Sequence, residues 1–152
     1  MNWPLLIAFI LVCELVGISG SVFTVRAIPT WYAGLKKPSF NPPNWIFGPV
    51  WTMLYALQGI AAYLIFQASG SGIAFDVFIV QLLLNALWTP LFFGAKRIGA
   101  ALVELIILLI FIIATIVLFF GISAPAAWLM VPYALWSAFA TALNYQIWRL
   151  NR

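Results

Sequence analysis

Two carboxylates in apolar surroundings, three deep tryptophans and two asparagines are the residues of this chain whose chemistry needs explaining. Glu14 lies near the middle of one apolar run, and Glu104 about one and a half turns inside another. An ionisable group so placed is functional by default: it accepts a proton or holds a cationic ligand. The plainer alternative is a protonated carboxyl bonded to a neighbouring helix. Trp51, Trp88 and Trp136 offer large flat apolar surfaces, while Asn85 and Asn144 offer amides that are costly in hydrocarbon unless paired. Conventional catalysis has little to draw on. The chain has no His, and its only acids are Glu14, Asp76 and Glu104. There is no nucleophile–base constellation and no phosphate loop, and no metal site or required cofactor is expected. The single Cys13 allows no internal disulfide.

The elements that must position these groups are dictated by composition. Hydrophobic residues make up 66% of the chain and charged residues 7%, against roughly a quarter charged in soluble domains. Such a surface must face lipid. Helix is the state that satisfies the backbone there, since lipid cannot pair an open strand edge. About 20 residues cross the hydrocarbon layer, and five runs of that length separate: 4–25, 45–66, 74–93, 98–120 and 126–149. The expectation is an all-α integral membrane bundle, a single domain over 1–152. Gly- and Pro-containing turns punctuate it at 69–72, 94–97 and 121–125. The first run has no Lys or Arg before it and is broken by Glu14, so it reads as a span rather than a cleaved signal.

Five spans put the termini on opposite sides. All seven Lys and Arg then fall on one face: Arg26, Lys36, Lys37, Lys96, Arg97, Arg149 and Arg152. By the positive-inside rule that face is cytoplasmic and the N-terminus outside. Scattered among apolar runs, the cations form no stripe for nucleic acid.

Helical arithmetic then sorts side chains by depth. Trp51 lies about 10 Å inside the basic face with Tyr55 one turn deeper, and Trp88 about 8 Å in with Asn85 and Gln81 below it. Trp136, Ala140, Leu143 and Asn144 recur at i, i+4, i+7 and i+8 on the fifth run. The three stripes share one half of the membrane, beneath the connection 26–43, which is rich in Pro and carries Trp31 and Tyr32. Two readings stand: interhelical hydrogen bonds that only hold the bundle together, or a lidded pocket for a flat, mostly apolar ligand. An aromatic belt accounts for Trp3, Trp31, Trp45, Trp128 and Trp148 near the span ends, but not for the three deeper indoles. Gly17 and Ser21 form a small-residue pair for close helix approach. Leu143, Tyr145 and Arg149 match the weak pattern proposed for sterol contact.

Several longer strings resemble one family. The run Trp31 to Pro43, the segment Trp51 to Tyr55, the segment Gln81 to Gly94, and the groups Pro132 to Trp136, Ala138 to Thr141 and Leu143-Asn144 are similar to the translocator protein family. It is also called the tryptophan-rich sensory protein, TspO/MBR or peripheral benzodiazepine receptor family. The resemblance spans nearly the whole chain. It implies a five-helix bundle, a homodimer, and binding of porphyrins such as protoporphyrin IX. It maps Trp31, Tyr32, Trp51, Asn85, Trp88, Trp136, Ala140, Leu143 and Asn144 to the ligand pocket. It also implicates Trp51 and Trp136 in light-dependent breakdown of bound porphyrin. Drug and steroid responses belong mainly to animal members and are not carried over. The end at Arg152, without the longer basic tail of animal relatives, points to a bacterial cytoplasmic membrane.

Two functions follow as expectations: a tetrapyrrole-binding sensory or regulatory protein, or a small proton-coupled transporter using Glu14 or Glu104. A retinal receptor is disfavoured, because the last span has no lysine for a Schiff base.

Overall fold

The computed structural model describes residues 2–152, and among them every regular element is helical. Five long helices form: α1 (Trp3–Ala27), α2 (Asn44–Ser69), α3 (Ile73–Thr89), α4 (Ile98–Phe120) and α5 (Ala124–Leu150). Each span, with α3 counted through Gly94, is long and apolar enough to cross a bilayer. The five-span all-α bundle expected from composition is what forms.

Local chemistry sets the ends. Asn2 caps α1 by accepting from the Leu5 amide, and Ser123 caps α5 ahead of Pro125. The helix α2 runs past the expected stop at 66 to Ser69, where Gly70 turns the chain out at a positive φ of 68°. Arg26 is carried in the last turn of α1 rather than in the following loop. Pro90 cannot donate an amide hydrogen, so α3 widens there into a single π turn, Pro90–Gly94, closed by Ala95 N–H to the Pro90 carbonyl at 2.7 Å. That wider turn aims Phe92 inward; Trp88 and Phe92 stack with ring centroids 5.1 Å apart.

The helices pack as a closed ring in the order α1, α2, α5, α4, α3 and back to α1. Large apolar residues remain exposed around the outside, above all on α1, α3 and α4, as lipid as solvent requires. The bundle end away from the cations is packed solid. Phe78 stacks on Phe119, and the buried Gln81 amide donates to Gln58 Oε1 at 3.1 Å. Gly59 makes this possible on the α1–α2 side. A Cβ there would lie 2.5 Å from the Ile10 Cα, so the two backbones meet directly. Toward the basic end the same two helices part.

Candidate functional site

Where α1 and α2 part, the ring encloses a chamber of about 370 Å³. Its walls are the three expected stripes. Trp51 and Tyr55 come from α2, one turn apart with centroids at 5.6 Å. Asn85 and Trp88 come from α3, and Trp136, Ala140, Leu143 and Asn144 from α5. Pro49 and Pro132 lie inside α2 and α5 without interrupting either helix.

Two polar layers tie these helices together. In the deeper one, the Tyr55 hydroxyl donates to Asn85 Oδ1, and Asn85 Nδ2 donates to the fully buried Tyr133 hydroxyl oxygen at 2.8 Å. One amide thus joins α2, α3 and α5. About one turn nearer the basic face, Trp88 Nε1 donates to Asn144 Oδ1 at 3.2 Å, while Asn144 Nδ2 donates to the Ile98 carbonyl at 3.0 Å. Both asparagines are therefore interior, as their cost in hydrocarbon demands. The Trp136 indole N–H is buried and finds no acceptor among the described residues.

The roof is the connection from Ile28 to Pro43, with one short 3-10 turn at Tyr32–Gly34. Tyr32 lines the chamber; its hydroxyl donates to Asn41 Oδ1 at 3.0 Å, and Lys37 Nζ sits 4.6 Å from its ring centre. Burial pushes the Tyr32 phenol above its ordinary range, and the Asn41 contact offsets part of this. Trp31, expected beside it, is not on the chamber wall. It packs edge-on against Phe92 and Phe93, fixing the roof to the end of α3. A second tie comes from α5. Asn151 Oδ1 accepts from the Lys36 amide at 2.9 Å while its Nδ2 donates to the Lys36 carbonyl at 2.8 Å.

The first helix supplies a wall that the sequence pattern did not disclose. Glu14, Ile18, Ser21 and Val25, at i, i+4, i+7 and i+11, all line the chamber. Gly17 lets this face approach, since a Cβ there would lie 2.4 Å from the Tyr55 ring. Ile18, Ser21 and Val25 on α1, and Asn44, Gly48 and Thr52 on α2, are also exposed on the outer surface. The chamber therefore opens sideways between α1 and α2, toward lipid.

Other expected residues are placed elsewhere. Glu104 is buried within the bundle, both oxygens without hydrogen-bond partners among the described residues, and it does not line the chamber. Leu143 faces the chamber, whereas Tyr145 is exposed and lies beside Arg149, whose guanidinium is 5.8 Å from its ring centre. Those three residues do not share one face.

Comparison with known proteins agrees with the architecture. The sequence matches the TspO/MBR family over residues 9–149. It is 46% identical to the tryptophan-rich protein TspO of Archaeoglobus fulgidus, over 99% of both chains. It is 40% identical to the tryptophan-rich sensory protein of Cereibacter sphaeroides, over 99% of this chain and 94% of that one. Against the human translocator protein it is also 40% identical, over 98% of this chain and 91% of that one. With five membrane-spanning helices and this match along nearly its whole length, the chain is a multi-pass integral membrane protein that belongs to the TspO/MBR family.

Proposed function

We infer that the chain is a membrane sensory or regulatory protein that binds a tetrapyrrole, protoporphyrin IX being the ligand class its family resemblance points to. The observation that carries this reading is the chamber itself: indole faces from α2, α3 and α5 around about 370 Å³, with few polar handles and an aromatic roof. That volume falls within the roughly 300–1,000 Å³ typical of small-molecule sites, and the side opening leaves room for part of a larger ring system to project. A porphyrin held against Trp51 and Trp136 would touch both indoles when excited by light, which favours light-dependent breakdown as part of the function. The names of relatives, sensory protein and tryptophan-rich protein, are in keeping with a regulatory role. From the charge asymmetry we place the basic end in the cytoplasm and the N-terminus outside a bacterial cytoplasmic membrane. A homodimer is carried over from the family resemblance.

The alternative is a proton-coupled transporter. Glu14 on the chamber wall favours it, whereas the solid packing around Gln58, Gln81 and Gly59 favours a closed-ended binding site. A pH-driven ligand flux in proteoliposomes, abolished by Glu14→Gln, would favour transport over binding.

The test is titration of the purified protein in nanodiscs with protoporphyrin IX, read by quenching of tryptophan fluorescence. Saturable binding is expected. The pair Trp51→Phe and Trp136→Phe should weaken it about tenfold, given roughly 0.5–1.5 kcal/mol for each aromatic pairing, and should slow the loss of porphyrin absorbance under light. Unchanged affinity and unchanged photobleaching in the double variant reject the aromatic-chamber assignment.

A further inference from the structure

We propose that Glu14 forms a cation-recognition subsite in the chamber, so that between flat aromatic ligands of one shape it favours the one carrying a positively charged nitrogen. The inference rests on the chamber being a ligand site and adds to it a charge preference at one place on its wall.

Glu14 is the twelfth residue of the 25-residue helix α1, so it sits near the middle of the span, at the end of the chamber away from the roof. The residue is partly exposed rather than enclosed. The protein provides no counter-charge at this depth. The cation nearest along the helix, Arg26, is about 18 Å further on at 1.5 Å per residue, and the other Lys and Arg residues lie at that same end. A carboxylate in the hydrocarbon layer without a cation is expensive, and residues of this kind face cavities and pair with what enters them.

The neighbouring polar group has the same sign of preference. Gly17, one turn from Glu14 on the same face, packs against the Tyr55 ring. The Tyr55 hydroxyl spends its proton on Asn85, which leaves the phenolic lone pairs as acceptors. Two acceptors on adjacent helices thus line a chamber whose other walls include the indoles of Trp51, Trp88 and Trp136 and the rings of Phe47, Phe92 and Phe93. Those faces attract a cation through the ring quadrupole as well as holding an aromatic plane. The buried carboxyl of Glu104 lies off the chamber and takes no part in the subsite.

Two probes of the same shape and different charge separate the claims: N-methylacridinium, a permanent cation, and anthracene, its neutral counterpart. Each is titrated by fluorescence into the full chain in zwitterionic nanodiscs, for the unaltered protein, Glu14→Gln, Glu14→Ala and Glu104→Gln. Glu14→Gln is expected to weaken the cation at least tenfold and the neutral probe less than twofold, with Glu14→Ala behaving alike. Glu104→Gln should leave the ratio of the two affinities unchanged. Retained anthracene binding shows that the chamber is intact in each variant. If the neutral probe binds and the cation's affinity does not depend on Glu14, the subsite is rejected while the aromatic chamber stands. If the unaltered protein binds neither these probes nor protoporphyrin IX, the chamber reading fails and the subsite with it.

Discussion

The direct backbone contact between α1 and α2 gives the sharpest test of the architecture. In Gly59→Ala, the added carbon would lie 2.5 Å from the Ile10 Cα, 2.8 Å from its nitrogen and 3.0 Å from the Phe9 carbonyl oxygen. Carbon contacts settle near 3.5–4.0 Å, so the helices must separate by about 1 Å. All three obstructing atoms are backbone, and no rotamer change relieves them. Overpacking of this kind costs about 1–3 kcal/mol. The alanine returns part of that through better helix propensity, at most about 1 kcal/mol. The net expectation is a loss of about 1–2 kcal/mol. Gly34 supplies the control, because a Cβ there meets nothing within 4 Å and its φ is not left-handed. Gly34→Ala should be neutral or stabilising by less than about 1 kcal/mol. Unfolding by sodium dodecyl sulfate in mixed micelles, followed by tryptophan fluorescence and helical circular dichroism, measures both. A Gly59→Ala protein as stable as the unaltered chain, or a Gly34→Ala protein equally weakened, would refute the reasoning.

Two further outcomes follow from the polar layers and the roof. Asn85→Ala removes both bonds of the inner layer and leaves the Tyr133 hydroxyl buried without its donor; at about 0.6–1.7 kcal/mol per interhelical bond, the same titration should show a loss of about 1–3 kcal/mol. Unaltered stability would mean that this amide joins no helices. Asn151→Ala removes the acceptor for the Lys36 amide hydrogen. With about 1 kcal/mol per hydrogen bond, exchange of that amide should quicken about fivefold in deuterated buffer while the core of α4 stays unchanged. Equal protection at Lys36 would show that Asn151 does not hold the roof.

The parts of the site legible in the sequence are those where polarity contrasts with an apolar background. Asn85 with Trp88, and Trp136 with Asn144, stand out on helices that are otherwise aliphatic, and helical spacing alone sets their depth. The α1 wall was not legible, because a lipid-facing helix is apolar on every side and Ile18 or Val25 on the chamber looks like Ile7 or Leu11 on lipid. Glu14 stood out there, but nothing along α1 told which way it turned. Adjacent residues pose a related difficulty. Trp31 and Tyr32 read as equivalent, and both pack on Phe92 and Phe93, yet only Tyr32 reaches the chamber wall. Tyr133 could have been found, since it precedes Trp136 by three positions on the same helical face. The Gln58–Gln81 pair depends on the register between two helices, which neither residue encodes alone.

The meeting of Gly59 with Ile10 has a mechanical corollary. A contact between two bare backbones, at one level of a helix pair, acts as a fulcrum: it resists approach but hardly resists rotation. Gly48, at the mouth, is eleven residues along α2 from that point, about 16 Å. Tilting α2 by about 10° over that arm displaces the mouth by about 3 Å, and Ser69, ten residues beyond the contact, by nearly as much in the opposite direction. A small scissor motion thus widens the gate by nearly the thickness of an aromatic ring, with the roof still fastened at Asn151.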